Sequence, residues 1–413
     1  MYLAEESEIM NICILTKSTL AHQMGGMEVH SQALGELAVN RGHSVTVITT
    51  RHPEGLEYEE KNGIFFYYLS KTRIARYSKS WWKESRKKIL QLHETNKFDV
   101  IWAESFSGYY YTWKTKSVIN VPIISIIQGG GIIDHIKSEW GSLSSWKEFF
   151  NFVVKYLPES IFLYLPLFWK TLKYSDAIVA VSKETAEVIQ REFNVERQKV
   201  YIVHNSVDTN MFKPDENRRK VIRERYAIKN GTKIILMAGV VHKQKGMHLG
   251  IEAFAQIKKR FTDVKMLIVG SGPQLESLKK LAKDLDIAED IYFCGLIPNK
   301  ETPYYYNTSD LYLNPTLRVE GLAIATVEAM ACGLPAVISR IGGTDSTIED
   351  GKSGFFVEPE NVESLVEKSN EILNNPELAK EMGEKAREKA VREFSQEKMI
   401  EAVSYTHLTL PTN

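Results

Sequence analysis

Cysteine is scarce in this chain, with three among 413 residues. Cys13, Cys294 and Cys332 lie far apart and form no C-x-x-C pair, which excludes a disulfide framework and a cysteine-built zinc site and suits a reducing compartment. Charge of one sign is not in excess either. The 52 basic residues meet 52 acidic ones, which argues against a dedicated nucleic-acid binder. An unbroken spanning run is absent: "FFNFVVKYLPESIFLYLPLFW", residues 149–169, is interrupted by Lys155, Pro158, Glu159 and Pro166. A membrane-crossing helix needs roughly 20 predominantly apolar residues, so a span is not expected, while a surface that dips into lipid stays open. The opening "MYLAEESEIMNICILT" is acidic before its first apolar run, unlike a secretory leader. Met10 is a second candidate start, which would make residues 1–9 an extension. At the other end "SYTHLTLPTN", residues 404–413, has neither helical periodicity nor a charged face and reads as a non-native tail.

What remains is 43% apolar and 25% charged, a globular composition, and the length favours two domains with a cleft between them. Short β-branched runs ("NICILT", "SVTVIT", "DVIWAE", "PIISII", "DAIVAVS", "KVYIVH", then "KIILMAGV", "VKMLIVG", "DIYFCG", "DLYLNP", "PAVIS") alternate with amphipathic stretches. That alternation predicts an α/β protein with parallel sheets built from βαβ units. The same opening occurs twice. Residues 11–49 run strand, "GGM" loop, helix, strand, and residues 233–270 run strand, "KGM" loop, helix, strand. Two Rossmann-like units are expected, over 10–212 and 233–390, each with a glycine loop at a strand's carboxyl end, where open α/β sheets bind ligands. The charged segment 213–232 reads as the linker, its arginines as a solvated face. A C-terminal helix is expected over 391–403. Neither glycine loop is a clean G-x-G-x-x-G with a following acidic residue, which excludes a dinucleotide-dependent oxidoreductase.

In "RVEGLAIATVEAMACGLPAV", residues 318–337, two glutamates flank a run of small residues. A helix starting at about Gly321 would set Glu320 and Glu328 about 12 Å apart along its axis, the span from hexose to ribose in a nucleotide-diphosphate sugar. A helix N-terminus attracts the diphosphate, and Gly321, Leu322 and Ala323 would bring backbone N–H groups to it. Glu320 as a dipole partner and Glu328 as a surface residue are an equal alternative from spacing alone.

This stretch resembles the E-x7-E signature of glycosyltransferase family 4. Other landmarks stand in the family's order over residues 11–403: "GGMEVH", "SDAIVAVSKET", "NSVDTNMF", "KGMHLGIEAF", "IVGSGPQLESLKKLA", "GLIPNKETPYYYNTSDLYLNP" and "IGGTDSTIEDGKSGFFVEPEN". The resemblance implies a GT-B fold, two Rossmann-like domains facing a central cleft. It implies a retaining hexosyltransferase that uses a nucleotide-diphosphate sugar as co-substrate, with no cofactor and no protein-bound metal. By the same likeness Glu328 holds the donor ribose, Glu320 contacts the transferred sugar, and Lys245 neutralises the leaving diphosphate. Gly25 and Gly26 form the first domain's loop, with glycines suited to positive φ. The backbone at Leu296 and Ile297 meets the base, and Gly272 lines that wall. Departures from the pattern are Val240 in place of the usual phosphate arginine, Gln128 in place of a histidine near the sugar, Ser206 in "NSVD" and Ser346 in "GGTDS". Val240 and Gln128 support an alternative, an impaired transferase-like subunit that only binds nucleotide sugar or glycan.

His30 and His43 lack clustered partners for a metal. The aromatic segment 132–173 and "YSKSWWKESRKKILQLHET", residues 77–95, have the amphipathic aromatic and basic character of a lipid interface. The expected acceptor is a saccharide or a lipid-linked sugar in cell-envelope polysaccharide or glycan assembly, with the protein in the cytoplasm at the inner membrane face.

Overall fold

The structure is a computed structural model that describes residues 9–22, 25–129, 131, 133, 136, 139–140 and 146–408. The chain divides into two compact units. The first comprises residues 1–132, 150–204 and 399–413, and the second residues 133–149 and 205–398. Segment 213–232, read as a linker, contains a helix of the second unit, Glu216–Arg225, capped by the Asp215 carboxylate.

The first unit carries eight strands: β1 (Asn11–Leu15), β2 (Ser44–Thr50), β3 (Tyr58–Lys61), β4 (Ile64–Leu69), β5 (Val100–Glu104), β6 (Ile123–Ile127), β7 (Ala177–Ala180) and β8 (Val200–Ile202). They form one sheet in the order β3-β4-β2-β1-β5-β6-β7-β8, parallel except for β3. The central strands are buried on both faces; Ile12, Cys13, Ile14 and Leu15 are each at most 1% exposed. That explains why they read as continuous apolar runs rather than alternating ones. The second unit holds β9 (Lys233–Ala238), β10 (Val264–Val269), β11 (Ile291–Gly295), β12 (Leu311–Asn314), β13 (Ala336–Ser339) and β14 (Gly354–Val357). Its order is β11-β10-β9-β12-β13-β14, all parallel. The expected parallel α/β architecture is present in both units. Three strands escaped the sequence reading: β3 is a polar edge ("YEEK"), β4 is aromatic rather than β-branched, and β14 is four residues long.

Three other expectations are corrected. The C-terminal helix is two helices, Pro376–Phe394 and Gln396–Leu408, separated by an extended Ser395 whose hydroxyl accepts from the Lys398 N–H. The second helix runs into the supposed tail, since no glycine or proline intervenes before Pro411; residues 409–413 and 1–8 lie outside the described residues. The helix Lys79–Thr95 does not offer its tryptophans to lipid. Trp81 and Trp82 are buried in the first unit's core, because a helix packed on a sheet turns its bulkiest apolar side chains inward.

The prolines of the apolar segment do not break it. Residues 146–174 are helical throughout, with π-helical stretches at Phe152–Tyr156 and Ser160–Tyr164 just before the turns that contain Pro158 and Pro166. A π turn bonds five residues back, which accommodates the N–H that proline lacks. Residues Phe149–Tyr174 are thereby long and apolar enough to cross a membrane, by length and composition.

Candidate functional site

In the second sheet the chain steps outward from β9 in one direction and from β12 in the other. The loops that leave the carboxyl ends of these neighbours diverge, and the crevice they leave is where open α/β sheets bind ligands. Two sequence motifs meet there. After β9, a short 3-10 turn, Lys243–Lys245, ends at Gly246 with φ +63° and leads into the helix Met247–Arg260. After β12 comes "PTLRVEG". The loops are tied together, since Leu317 N–H donates to the Gln244 carbonyl at 2.8 Å. Gly246 makes the approach possible: a Cβ there would stand 1.8 Å from the Pro315 carbonyl oxygen.

This approach places the Lys245 ammonium in an ion pair and hydrogen bond with Glu320 Oε1, which also accepts from the Thr316 hydroxyl at 3.2 Å. The Glu320 side chain is 12% exposed. Burial by itself would raise its pKa; Lys245, aided by Arg318 and Thr316, outweighs burial and holds the carboxyl below its ordinary range. The Glu320 carbonyl accepts from Gly343 N–H at 2.7 Å, and Glu320 forms a parallel bridge with Gly342. Gly342 sits at φ +58°, where a Cβ would lie 2.9 Å from that carbonyl. The "IGGT" motif therefore supports Glu320 from beneath.

The helix after Glu320 begins at Ile324, not at about Gly321, and ends at Ala331. The delay has a cause: the Glu320 backbone is committed to Gly342 and Gly343, and Ile324 N–H turns back to the Leu322 carbonyl. A backbone bonded elsewhere cannot start a helix. Gly321, Leu322 and Ala323 are buried before the helix, whose first turn has no side-chain cap. The two glutamates are consequently not spaced by helix rise alone. Glu328 lies within the helix and accepts from the Tyr306 hydroxyl at 2.7 Å. Burial pushes its carboxyl up to about 7, opposed only by that hydrogen bond. At the helix C-terminus the Arg387 guanidinium donates to the Ala331, Phe212 and Thr209 carbonyls, satisfying end groups that helices leave unpaired. Tyr306, Thr316 and Arg387 were not singled out in the sequence, because long-range partners leave no local signal.

Beside these, the ends of β9, β10 and β11 form a backbone wall. Gly270 (φ +136°) would put a Cβ 1.8 Å from the Gly239 carbonyl, and Gly272 (φ +159°) 2.4 Å from that of Val241. Glycine there lets the two loops touch. Val240 and Leu296 are exposed, and Ile297 is half-buried.

In the first unit, Gly25 caps the helix Gly26–Asn40 with φ −152°. Positive φ is thus not why glycine stands there. A Cβ at Gly25 would meet the Glu28 carboxylate at 2.5 Å, so room for Glu28 is the reason. Glu28 is buried and accepts from the Ser18 hydroxyl. Gln128, just past β6, donates to Glu104 Oε2 at 3.2 Å, while Ser31 donates to Oε1 at 2.8 Å. Glu104 ends β5 fully buried, and burial pushes its carboxyl up to about 7 against those two bonds. A carboxylate closing the strand "DVIWAE" was a signal present in the sequence and not used. His30 is buried, with burial lowering its pKa to about 4, and among the described residues no group of three or more His, Cys, Asp or Glu is arranged to hold a metal ion.

The whole chain superposes on solved glycosyltransferases. It matches sucrose-phosphate synthase from Thermosynechococcus elongatus with a TM-score of 0.79 and 18% identity, covering 97% of this chain and 98% of the other. It matches Anabaena HepE in complex with UDP and glucose with a TM-score of 0.75 and 16% identity, covering 97% and 100%. Two units, each built on a predominantly parallel α/β sheet, mark the GT-B class of fold that the chain shares with these structures. The family model of glycosyl transferases group 1 matches residues 218–389, and that of glycosyltransferase family 4 matches residues 24–211. The chain belongs to glycosyltransferase family 4. Among its relatives, the GDP-mannose-dependent alpha-(1-6)-phosphatidylinositol monomannoside mannosyltransferase of Mycolicibacterium smegmatis is 36% identical over 43% of this chain and 48% of the relative. The N-acetyl-alpha-D-glucosaminyl L-malate synthase of Bacillus anthracis is 30% identical over 55% and 58%. The chain thus spans about half the length of these relatives in the matched regions.

Proposed function

We propose that the protein is a retaining hexosyltransferase that moves a sugar from a nucleotide-diphosphate donor to a saccharide or lipid-linked acceptor in glycan assembly, without a protein-bound metal. The observation that carries this reading is the Lys245–Glu320 pair at the carboxyl ends of β9 and β12. A half-buried lysine beside an ionised glutamate gives one site both a cation for a departing diphosphate and a hydrogen-bond acceptor for sugar hydroxyls. As the bond from the anomeric carbon to the diphosphate oxygen breaks, negative charge grows on the leaving group, and a preorganised ammonium is worth most at that moment. Arg318 and the Thr316 hydroxyl also favour the ionised form of Glu320, so part of its support remains when the donor draws on Lys245.

Glu328, fixed by Tyr306, is assigned to the ribose hydroxyls, the backbone at Leu296 and Ile297 to the base, and Gln128 to the transferred sugar. The names of relatives and neighbours support the donor class and not one base: one relative is GDP-mannose-dependent, and HepE was solved with UDP-glucose. The phosphatidylinositol mannoside acceptor in the mycobacterial name supports a lipid-linked acceptor. The impaired-subunit reading is disfavoured by the intact Lys245–Glu320 pair.

The test is a thermal-shift series with UDP, GDP, ADP and their sugar conjugates in the presence of a chelator. One nucleotide class should stabilise the protein, and Lys245→Ala and Glu328→Ala should each abolish the shift. Silence from every nucleotide at millimolar concentration would overturn the proposal.

A further inference from the structure

The helix that ends at Tyr174 has two unlike faces within the first unit. Phe152, Ser160, Leu167, Phe168, Thr171 and Leu172 point inward and are buried. On the other side Phe150 is 65% exposed and Phe162 80%, with Val154, Leu163 and Trp169 also exposed. Only 22% of the helix's most apolar stretch is buried. Soluble monomers seldom leave a contiguous apolar surface of more than a few hundred Å² uncovered.

Cations border this face. The Lys170 ammonium lies 4.1 Å from the centre of the exposed Trp113 ring, with Lys114 at 4.9 Å, and Lys173 sits 4.7 Å from that of Trp169. Exposed Lys155 adds a further charge, against the single exposed acid Glu159 among residues 150–174. Tryptophan beside lysine suits the boundary between acyl chains and anionic headgroups, where the ring enters and the ammonium stays with phosphate.

We propose that this face seats in the headgroup layer of an anionic lipid bilayer, with the helix lying in the membrane plane. Crossing the bilayer is disfavoured by the buried opposite face and by Lys155 and Glu159, which a span would carry into the hydrocarbon. A protein partner is disfavoured by the lysines, which interface cores lack. The proposal stands apart from the transferase reading, since lipid binding and nucleotide binding are measured separately.

The experiment is flotation of the full-length chain with vesicles of phosphatidylcholine, alone or with about one third phosphatidylglycerol. The chain should float with the anionic vesicles and about 10-fold less with the neutral ones. The pair Phe150→Asp and Phe162→Asp should lose flotation while keeping its melting temperature and its nucleotide-induced shift; Lys170→Glu with Lys173→Glu should weaken binding to the anionic vesicles alone. Equal flotation of the wild type and the Phe pair, or none at all, would overturn it. So would resistance of the bound protein to alkaline extraction, which means a span, or a dimer in light scattering that the Phe pair dissolves, which means a second copy covers the face.

Discussion

The carboxyl ends of the two sheets differ in electrical character. In the second unit a carboxylate is answered by a cation, Glu320 by Lys245, beside loops that glycines open to close backbone approach. In the first unit two buried carboxylates, Glu28 and Glu104, accept from neutral donors, Ser18 for one and Ser31 and Gln128 for the other. The lysine can be shared with a phosphate, whereas the hydroxyls and the amide that serve Glu28 and Glu104, like the Tyr306 hydroxyl that serves Glu328 in the second unit, favour neutral, hydroxyl-rich ligands. The βαβ repeat duplicates a place for ligands, and the partner of each carboxylate decides which ligand suits it.

The contrast breaks most completely if Lys245 is removed. Lys245→Ala makes the second crevice resemble the first and leaves Glu320 buried without its cation. Donor turnover should fall by about 10²- to 10³-fold, read as kcat/KM for transfer or donor hydrolysis; a rate near that of the wild type would remove Lys245 from the chemistry. Next is the residue that makes the pair possible. Gly246→Ala forces a Cβ against the Pro315 carbonyl in a left-handed conformation and should cost about 3 kcal/mol in guanidinium unfolding. An unchanged midpoint would mean the loop is held by something other than this contact.

The first unit's side of the contrast is a matter of protons. Burial raises Glu104 to about 7, so from the ordinary glutamate range up to about pH 7 the folded chain holds a proton that the unfolded chain has released. Protons then bind more to the folded state, and this contribution to stability, full at low pH, is lost as pH rises through about 7. The protein should melt higher at pH 5 than at pH 8 by an amount that Glu104→Gln reduces, worth about 2 kcal/mol; equal slopes for the two proteins would refute the assignment. Glu328, also raised to about 7, adds the same sign and survives that substitution. The smallest effect is a gain. Val240 is exposed beside the backbone wall, and Val240→Arg, restoring the usual cation at no cost to the core, should tighten nucleotide-diphosphate binding about 3-fold by calorimetry. Weaker binding would mean the wall does not face the diphosphate.

Much of this was legible beforehand. Alternating apolar runs announced the parallel sheets, and "KGM" and "VEG" marked the two loops that meet. The helix start was misread by three residues because the backbone of Glu320 is bonded to Gly342 and Gly343, over 20 residues away. Trp81 and Trp82 looked interfacial and are core; Phe150 and Phe162 are exposed. An aromatic run has the same composition either way, and only the packing partner tells them apart.

By itself, then, the sequence determined the fold class, the family and the residue types at each loop, since these follow from local periodicity and from motifs in order. Tertiary structure alone decided which carboxylate has a cation and which a neutral donor, where each helix starts, and which aromatic face is left uncovered. Those outcomes depend on contacts between residues distant in the chain, such as Lys245 with Glu320 and Tyr306 with Glu328. Protonation and burial are set by such neighbours, and no stretch of sequence carries them on its own.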